Sequence, residues 1–271
     1  MPSTAIASVS GLPWQGVNYF CTTRQGGVSG ESWASLNVGL HTGDDHADVI
    51  ANRQLLRAGL PGDPVWLNQV HGAKVFDADQ LAPIASEGVV VPPDADAAVT
   101  TQQNRVLAIM TADCLPVVLA SNDGRALGLA HAGWRGLAAG VLEQTMLALR
   151  NRSPESAGWR AWIGPAIGQP HFEVGADVYE AFVGQDEQTA AFFAQKIPGQ
   201  KWLADLPALA RHRLYKAGVD SIELSGHCTF SRPDLFYSYR RQARTGRLVT
   251  VAWLADEAAV LHRGKQRSDL P

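Results

Sequence analysis

Two histidines and one cysteine are the residues of this sequence best suited to chemistry. His71 lies in Asn68-Gln69-Val70-His71-Gly72, Cys114 in Thr111-Ala112-Asp113-Cys114-Leu115-Pro116, and His131 in Leu129-Ala130-His131-Ala132-Gly133-Trp134-Arg135-Gly136. Each stands where an apolar, strand-like run gives way to a turn, which is where folds commonly display reactive groups. None is diagnostic alone. A histidine after a strand is often structural, and a cysteine between apolar runs packs as a small hydrophobe. Together, two imidazoles and a thiolate suit Zn²⁺, and three protein ligands leave a fourth position for water or substrate. The long separations are those of ligands on different strands rather than of a compact finger. On spacing alone the trio is a candidate metal site.

The elements that must position the trio follow from patterning. Val65–Val70, Val106–Met110, Pro116–Ala120 and Ala126–Ala130 read as short buried strands, and Ile222–Leu224 and Leu248–Leu254 close the chain as strands. Asp45 is a candidate cap for a helix running to about Ala58, with Val49, Leu56 and Leu60 on one face and Gly59 as its stop. Leu137–Arg150 has helical spacing, and Asp205 caps a further helix over Leu206–Ala217, with Pro207 in its first turn. Helices are interspersed irregularly among clustered strands. The fold class is therefore α+β with layered mixed sheets, not a doubly wound βαβ array. Val91–Asp96 reads as a loop too short to divide domains, and residues 264–271 as a frayed polar tail.

The chain has 271 residues, 46% hydrophobic and 18% charged, enough for a sizeable core. A net charge of −3 gives no basic footprint for nucleic acid. No apolar run is long enough for a membrane span, and no signal-peptide pattern opens the chain. The three cysteines, Cys21, Cys114 and Cys228, are too few for a disulfide framework, so a cytoplasmic setting is expected. Cys21 and Cys228 read as buried thiols.

Further segments carry a family resemblance. They are Thr22-Thr23-Arg24-Gln25-Gly26-Gly27-Val28-Ser29, Ser35-Leu36-Asn37-Val38-Gly39-Leu40-His41, Gly164-Pro165-Ala166-Ile167-Gly168, Phe236-Tyr237-Ser238-Tyr239-Arg240-Arg241 and Thr245-Gly246-Arg247. With the three segments above, they make the chain resemble, nearly end to end, the YfiH-type proteins often named laccase-domain or polyphenol oxidoreductases. Gln242 departs from the pattern, which often has Asp there. The resemblance implies one domain over residues 1–271, similar to a toxin deamidase fold that uses a cysteine nucleophile. It places the metal ligands on His71, Cys114 and His131, with zinc as the usual metal and copper also claimed. It implies phosphorolysis of adenosine, inosine or guanosine and S-methyl-5′-thioadenosine to free base and the (methylthio)ribose 1-phosphate, with adenosine deamination besides. Some relatives are implicated in editing peptidoglycan precursors.

The residues around the trio fit parts of this chemistry. A zinc-activated water suits attack on purine C6, with Asp113 as a proton carrier, although Asp113 can equally be the acceptor of a backbone turn. Phosphorolysis needs an anion site. Gly133–Gly136 opens a predicted helix whose free N–H groups can face phosphate, and Arg135 can add a bidentate contact. Arg24 and Arg241 are further phosphate or substrate candidates, against structural roles for both. Asn37 and Asn68 can bond substrate or hold loops. Trp134, Trp159 and Trp162 can stack on a base or fill the core. His41 and His46 beside Asp44 and Asp45 resemble a second metal cluster, or a solvated helix start. The expected partners are purine nucleosides and phosphate, with no nucleic acid or membrane, and the chain is a monomer or homodimer.

Two other activities compete. A copper-dependent polyphenol oxidase of the multicopper kind needs more imidazoles than these eight histidines, often as His-x-His pairs, which this sequence lacks. An amidase acting on peptidoglycan nucleotide precursors would use Cys114 as nucleophile, with His131 or His71 as base.

Overall fold

The computed structural model describes residues 6–81 and 91–255. Expectations for the tail at 264–271 therefore fall outside the described residues. The strands, in chain order, are β1 (Ser8–Val9), β2 (Val17–Thr22), β3 (Pro64–Val65), β4 (Val75–Asp77), β5 (Ala97–Thr100), β6 (Val106–Thr111), β7 (Leu115–Ser121), β8 (Leu127–Ala132), β9 (Trp159–Ile163), β10 (Glu173–Val174), β11 (Phe193–Ile197), β12 (Lys201–Ala204), β13 (Ser221–Leu224) and β14 (Leu248–Leu254). The α-helices are α1 (His46–Arg57), α2 (Trp134–Ala138), α3 (Val141–Arg152), α4 (Ala176–Val183) and α5 (Leu206–Lys216).

Two large mixed sheets dominate. One runs β1-β2-β14-β6-β3 and the other β13-β9-β7-β8-β5-β4, while β10-β12-β11 form a small third sheet. Pairing is mostly antiparallel, with β3–β6, β4–β5 and β13–β9 parallel. The α+β class with layered mixed sheets is what the structure shows.

Side-chain alternation explains the layering. Along β6, Leu107 and Ile109 face inward between the two sheets, with Val118, Ala120, Leu127, Leu129 and Trp162 of the other sheet. Val106, Ala108 and Met110 face outward under α1, against Leu56 and Leu60. Along β7, Val117 and Leu119 face outward under Leu142, Met146 and Leu149 of α3 and Leu209 of α5. Each central strand is thus covered on both faces. That is why β6, β7 and β8 read as continuous apolar runs rather than as alternating ones. The layers are α1, sheet, sheet, then α3 with α5.

The caps read in the sequence form as expected. The Asp45 carboxylate accepts from the Ala47 N–H, and that of Asp205 from Ala208. Two boundaries shift. The expected strand Val65–Val70 is only Pro64–Val65, because the Gln69 side chain takes over the edge of β6. Its Nε2 donates to Met110 O and its Oε1 accepts from Met110 N, both at 2.8 Å. The expected helix Leu137–Arg150 is instead α2 and α3, broken at Gly140, whose φ of 89° suits glycine.

Leu129 is fully buried between the sheets, on the strand that carries His131. Leu129→Ala is expected to lower unfolding free energy by about 2–5 kcal/mol through lost burial and a residual cavity. A urea titration of both proteins, comparing midpoints at constant slope, checks it.

Candidate metal centre

The centre sits at one end of the junction between the two large sheets. β6 belongs to the first sheet and β7 to the second, so the turn Ala112–Cys114 crosses from one to the other. In the β7–β8 register Pro116 pairs with His131 and Leu115 with Ala132, which brings Cys114 to the same end as His131. His71 comes from the loop after β3. The candidate ligand atoms of His71, Cys114 and His131 all lie within 4.8 Å of one another. The two imidazole rings meet edge-on, with centroids 4.8 Å apart and planes at 79°. His131 is buried, Cys114 partly buried and His71 exposed, so the cluster opens to solvent on the His71 side.

Asp96, which no motif in the sequence marks, organises the centre. Its Oδ1 lies 2.8 Å from His131 Nδ1, which leaves Nε2 to face the cluster. The same carboxylate accepts the backbone N–H groups of Val70, His71 and Gly72 at 3.2, 2.9 and 2.7 Å. His71 itself adopts φ 61°, a left-handed conformation uncommon outside glycine. The three N–H bonds and the Gln69 clasp on Met110 hold it there. A sequence signal existed in the carboxylate just ahead of the apolar strand β5, but Pro93-Asp94-Ala95-Asp96 also has the composition of a plain turn.

Two glycines permit close packing. A Cβ on Gly133 would lie 2.9 Å from Cys114 Sγ and 3.2 Å from His71 Cδ2. One on Gly136 would lie 2.7 Å from the Gly72 carbonyl oxygen. The first turn of α2 is therefore laid directly on the ligand loop.

The electrostatics suit a thiolate. Burial opposes ionisation of Cys114, but the positive charge and hydrogen bond of His131, with help from His71, hold its thiol below the ordinary value. Burial likewise disfavours the imidazolium of His131, yet the Cys114 charge and the Asp96 hydrogen bond hold it above the ordinary value. A soft thiolate and two imidazoles, one with its second nitrogen held by a carboxylate, form a donor set that fits a zinc- or copper-class ion.

The other candidates lie around this centre with their donors differently engaged. Asp113 (φ 97°) accepts from Thr229 Oγ1 at 2.6 Å and from the Arg240 N–H at 2.7 Å, in the manner of a turn acceptor. Arg24 donates to the carbonyls of Ala34 and Pro233. Arg241 donates to those of Thr229, Phe230 and Phe236. Asn37 is fully buried, donating to Thr42 and Asp44 and accepting from the N–H groups of Gly39 and Arg247. Asn68 is exposed and donates to Asp94. Arg135 is exposed, its guanidinium 4.4 Å from the Trp134 ring centroid. Trp159 and Trp162 are core residues. Asp44 and Asp45 are engaged by Ser29, Asn37 and Ala47, so His41 and His46 are not joined by them into a second cluster.

Asp96→Asn removes the charge that orients His131 and grips the loop. It is expected to weaken metal affinity by about 10- to 100-fold. Chelator competition, alongside a urea titration to separate binding from folding, measures this; unchanged affinity would remove Asp96 from the account of the centre.

A family model described as multi-copper polyphenol oxidoreductase laccase matches residues 18–255. A purine nucleoside phosphorylase of Xylella fastidiosa is 48% identical over 250 residues, covering 89% of this chain and 94% of its own. The purine nucleoside phosphorylase YfiH of Escherichia coli is 45% identical over 242 residues, covering 89% and 95%. A crystal structure of a Neisseria meningitidis protein superposes with a TM-score of 0.82 at 41% identity, covering 93% of this chain and 99% of its own. That of a Bacillus licheniformis hypothetical protein, YfiH, gives 0.83 at 29% identity, covering 93% and 97%. With a model spanning most of the chain and relatives this similar along nearly their whole lengths, the chain belongs to the YfiH-type family of multi-copper polyphenol oxidoreductase laccase proteins.

Proposed function

We propose that the protein is a zinc-dependent purine nucleoside phosphorylase, acting on adenosine, inosine or guanosine and S-methyl-5′-thioadenosine. The observation that carries this reading is the convergence of His71, Cys114 and His131 within 4.8 Å, open on one side to solvent. Similarity to proteins named purine nucleoside phosphorylase supplies the substrate class. In the reaction a phosphate oxygen forms a bond to C1′ as the C1′–N9 bond breaks. The electron pair leaves with the purine, which takes up a proton. A bound zinc ion would supply Lewis acidity at the open position. The chain's own part is to hold that position. Asp96 fixes the His131 tautomer, the 70–72 loop fixes His71, and Asp113 positions the 229–241 segment beside the Cys114 turn. Deamination of adenosine is the companion activity in this reading.

A second reading is favoured by one alignment. Cys114, His131 and Asp96 stand in the order nucleophile, base and orienting acid. With the metal absent, that set fits an amidase acting on peptidoglycan nucleotide precursors. Metal dependence separates the two, because a coordinated thiolate is a poor free nucleophile.

Adenosine incubated with the purified protein is expected to release adenine only when phosphate is present, with inosine appearing in either buffer. Elemental analysis should give about one zinc per chain. Cys114→Ala should lose the zinc and on the order of 1000-fold in phosphorolysis, equivalent to several kcal/mol of lost transition-state stabilisation. Chromatography of the mixtures reads both products. Amide cleavage that survives chelation, with no nucleoside turnover, would install the amidase in its place.

A further inference from the structure

The side chains of Arg53, Arg247 and His41 crowd together beside the metal centre without contacting its three candidate ligands. Three contacts join the two arginines into one wall, with His41 alongside. The Val38 carbonyl accepts from Arg53 Nε at 2.9 Å, and the Val38 N–H donates to Arg247 O at 3.4 Å. The next residue, Gly39, packs on the Arg247 side chain so closely that a Cβ there would lie 2.8 Å from Arg247 Cγ. His41 follows two residues later.

The wall reaches the centre along two strands. Leu248 pairs with Thr111 in the β14–β6 register, so Arg247 continues that pairing towards the Ala112–Cys114 turn. Arg53 Nη2 lies 4.0 Å from the sulfur of Met110, the residue whose backbone Gln69 clasps two positions before His71. Tyr239, next to the Arg240 N–H that bonds Asp113, lies with its ring centroid 6.0 Å from the Arg247 guanidinium carbon.

The charges are only partly compensated. Both arginines are half-buried, and among the described residues neither has a carboxylate within ion-pair distance. Arg53 spends Nε on a carbonyl and stacks 4.0 Å from the Trp66 ring centroid. Arg247 gives Nη1 to the carbonyls of Thr245 and Gly246. Burial pushes the Arg53 guanidinium down to about 10, and burial, then Arg247 and Arg53, push the His41 imidazole below its ordinary value. Burial likewise pushes Arg247 below its ordinary value, against partial support from the Cys114, Tyr239 and Asp113 charges. Half-buried like charges gathered without an ion-pair partner are costly, and a bound anion relieves that cost. Exposed His41 and Tyr239 leave the wall open to solvent.

We infer that Arg53 and Arg247, with His41 and Tyr239 at the rim, form the site that binds the phosphate dianion next to the His71–Cys114–His131 centre. The inference rests on the phosphorolysis reading for its choice of anion. It assigns the anion to Arg53 and Arg247, each of which bonds carbonyls through one nitrogen only, rather than to exposed Arg135 or to Arg24 and Arg241, which each spend two. Arg is the suited residue, since its fork meets phosphate oxygens bidentately.

The test uses zinc-loaded protein with Arg53→Gln, Arg247→Gln, and Lys at each position as the charge-conserving variants. Inorganic phosphate binding is measured by calorimetry, and the KM for phosphate and for adenosine by turnover. The Gln variants are expected to weaken phosphate binding and raise its KM by about 10- to 100-fold, with the adenosine KM and the zinc content little changed. The Lys variants should recover part of the loss and also serve should a Gln variant fail to fold. Phosphate binding unchanged in all four variants overturns the site. Phosphate bound by the wild type and lost in the variants, without nucleoside turnover in any protein, upholds the site and overturns the phosphorolysis reading instead. Binding of adenosine monophosphate but not of inorganic phosphate, sensitive to the same substitutions, overturns the assignment to free phosphate.

Discussion

A carboxylate with no exposure to solvent can stay ionised only if the protein replaces its water, and at Asp96 that replacement determines the geometry of the centre. Burial pushes the group towards its neutral form. The His131 hydrogen bond and the loop N–H groups reverse the balance and hold the acid below its ordinary value. Each donor that satisfies Asp96 is also a part that must be positioned. One is the ring nitrogen that fixes His131, and three are amides of the loop that presents His71. The desolvation cost of one side chain is thereby spread into the placement of two of the three candidate ligands. The third, Cys114, needs no such clamp, because β6 and β7 deliver it on a turn between two buried strands.

This arrangement makes the sheet junction more than a scaffold. β5 begins immediately after Asp96 and pairs with β8, whose His131 N–H donates to the Asp96 carbonyl at 2.7 Å. The backbone and the side chain of Asp96 thus both bond His131. On the other sheet, Gln69 ties the same His71 loop to β6 through a pair of bonds to Met110. The loop is held from both sheets at once, so a shift of one sheet against the other would pull His71 away from His131. Close packing in the shared core, with Leu107, Ile109, Val118, Leu129 and Trp162 interdigitated, resists that shift.

What was legible in the sequence follows the same physics. Strands covered on both faces announce themselves as apolar runs, so β6, β7, β8 and β14 stand out, and the side-chain caps Asp45 and Asp205 mark the starts of α1 and α5. Elements lacking those signals do not show. β11 is Phe-Ala-Gln-Lys-Ile, largely exposed and without alternation, and α4 follows Gly175, which offers no side-chain cap. In the centre, ligand-type residues at strand ends are visible because histidine and cysteine are rare. Asp96 is hidden because an aspartate near proline looks like any turn. Arg53 and Arg247 are hidden because only the tertiary fold brings a helix residue and a strand-end residue to either side of Val38.

The family's description as a multi-copper oxidoreductase has to be weighed against the imidazoles the fold brings together. Among the described residues, the cluster of three metal-capable side chains is His71, Cys114 and His131. Four other histidines among the described residues stand one at a time. His171 stacks on Phe230 with centroids 4.3 Å apart, His212 bonds Asp186 at 2.7 Å, and His227 lies against Phe236. His41 stands with two arginines, an environment that repels a cation. Three donors set around one point accommodate one ion with an open position, which suits Lewis-acid catalysis on a bound substrate. Multicopper electron transfer instead requires several sites linked closely enough to pass electrons. Copper can occupy the His₂Cys set, since imidazole and thiolate bind it well. Such occupancy would follow from the ligand types alone and would not recruit the imidazoles that a multicopper cluster needs.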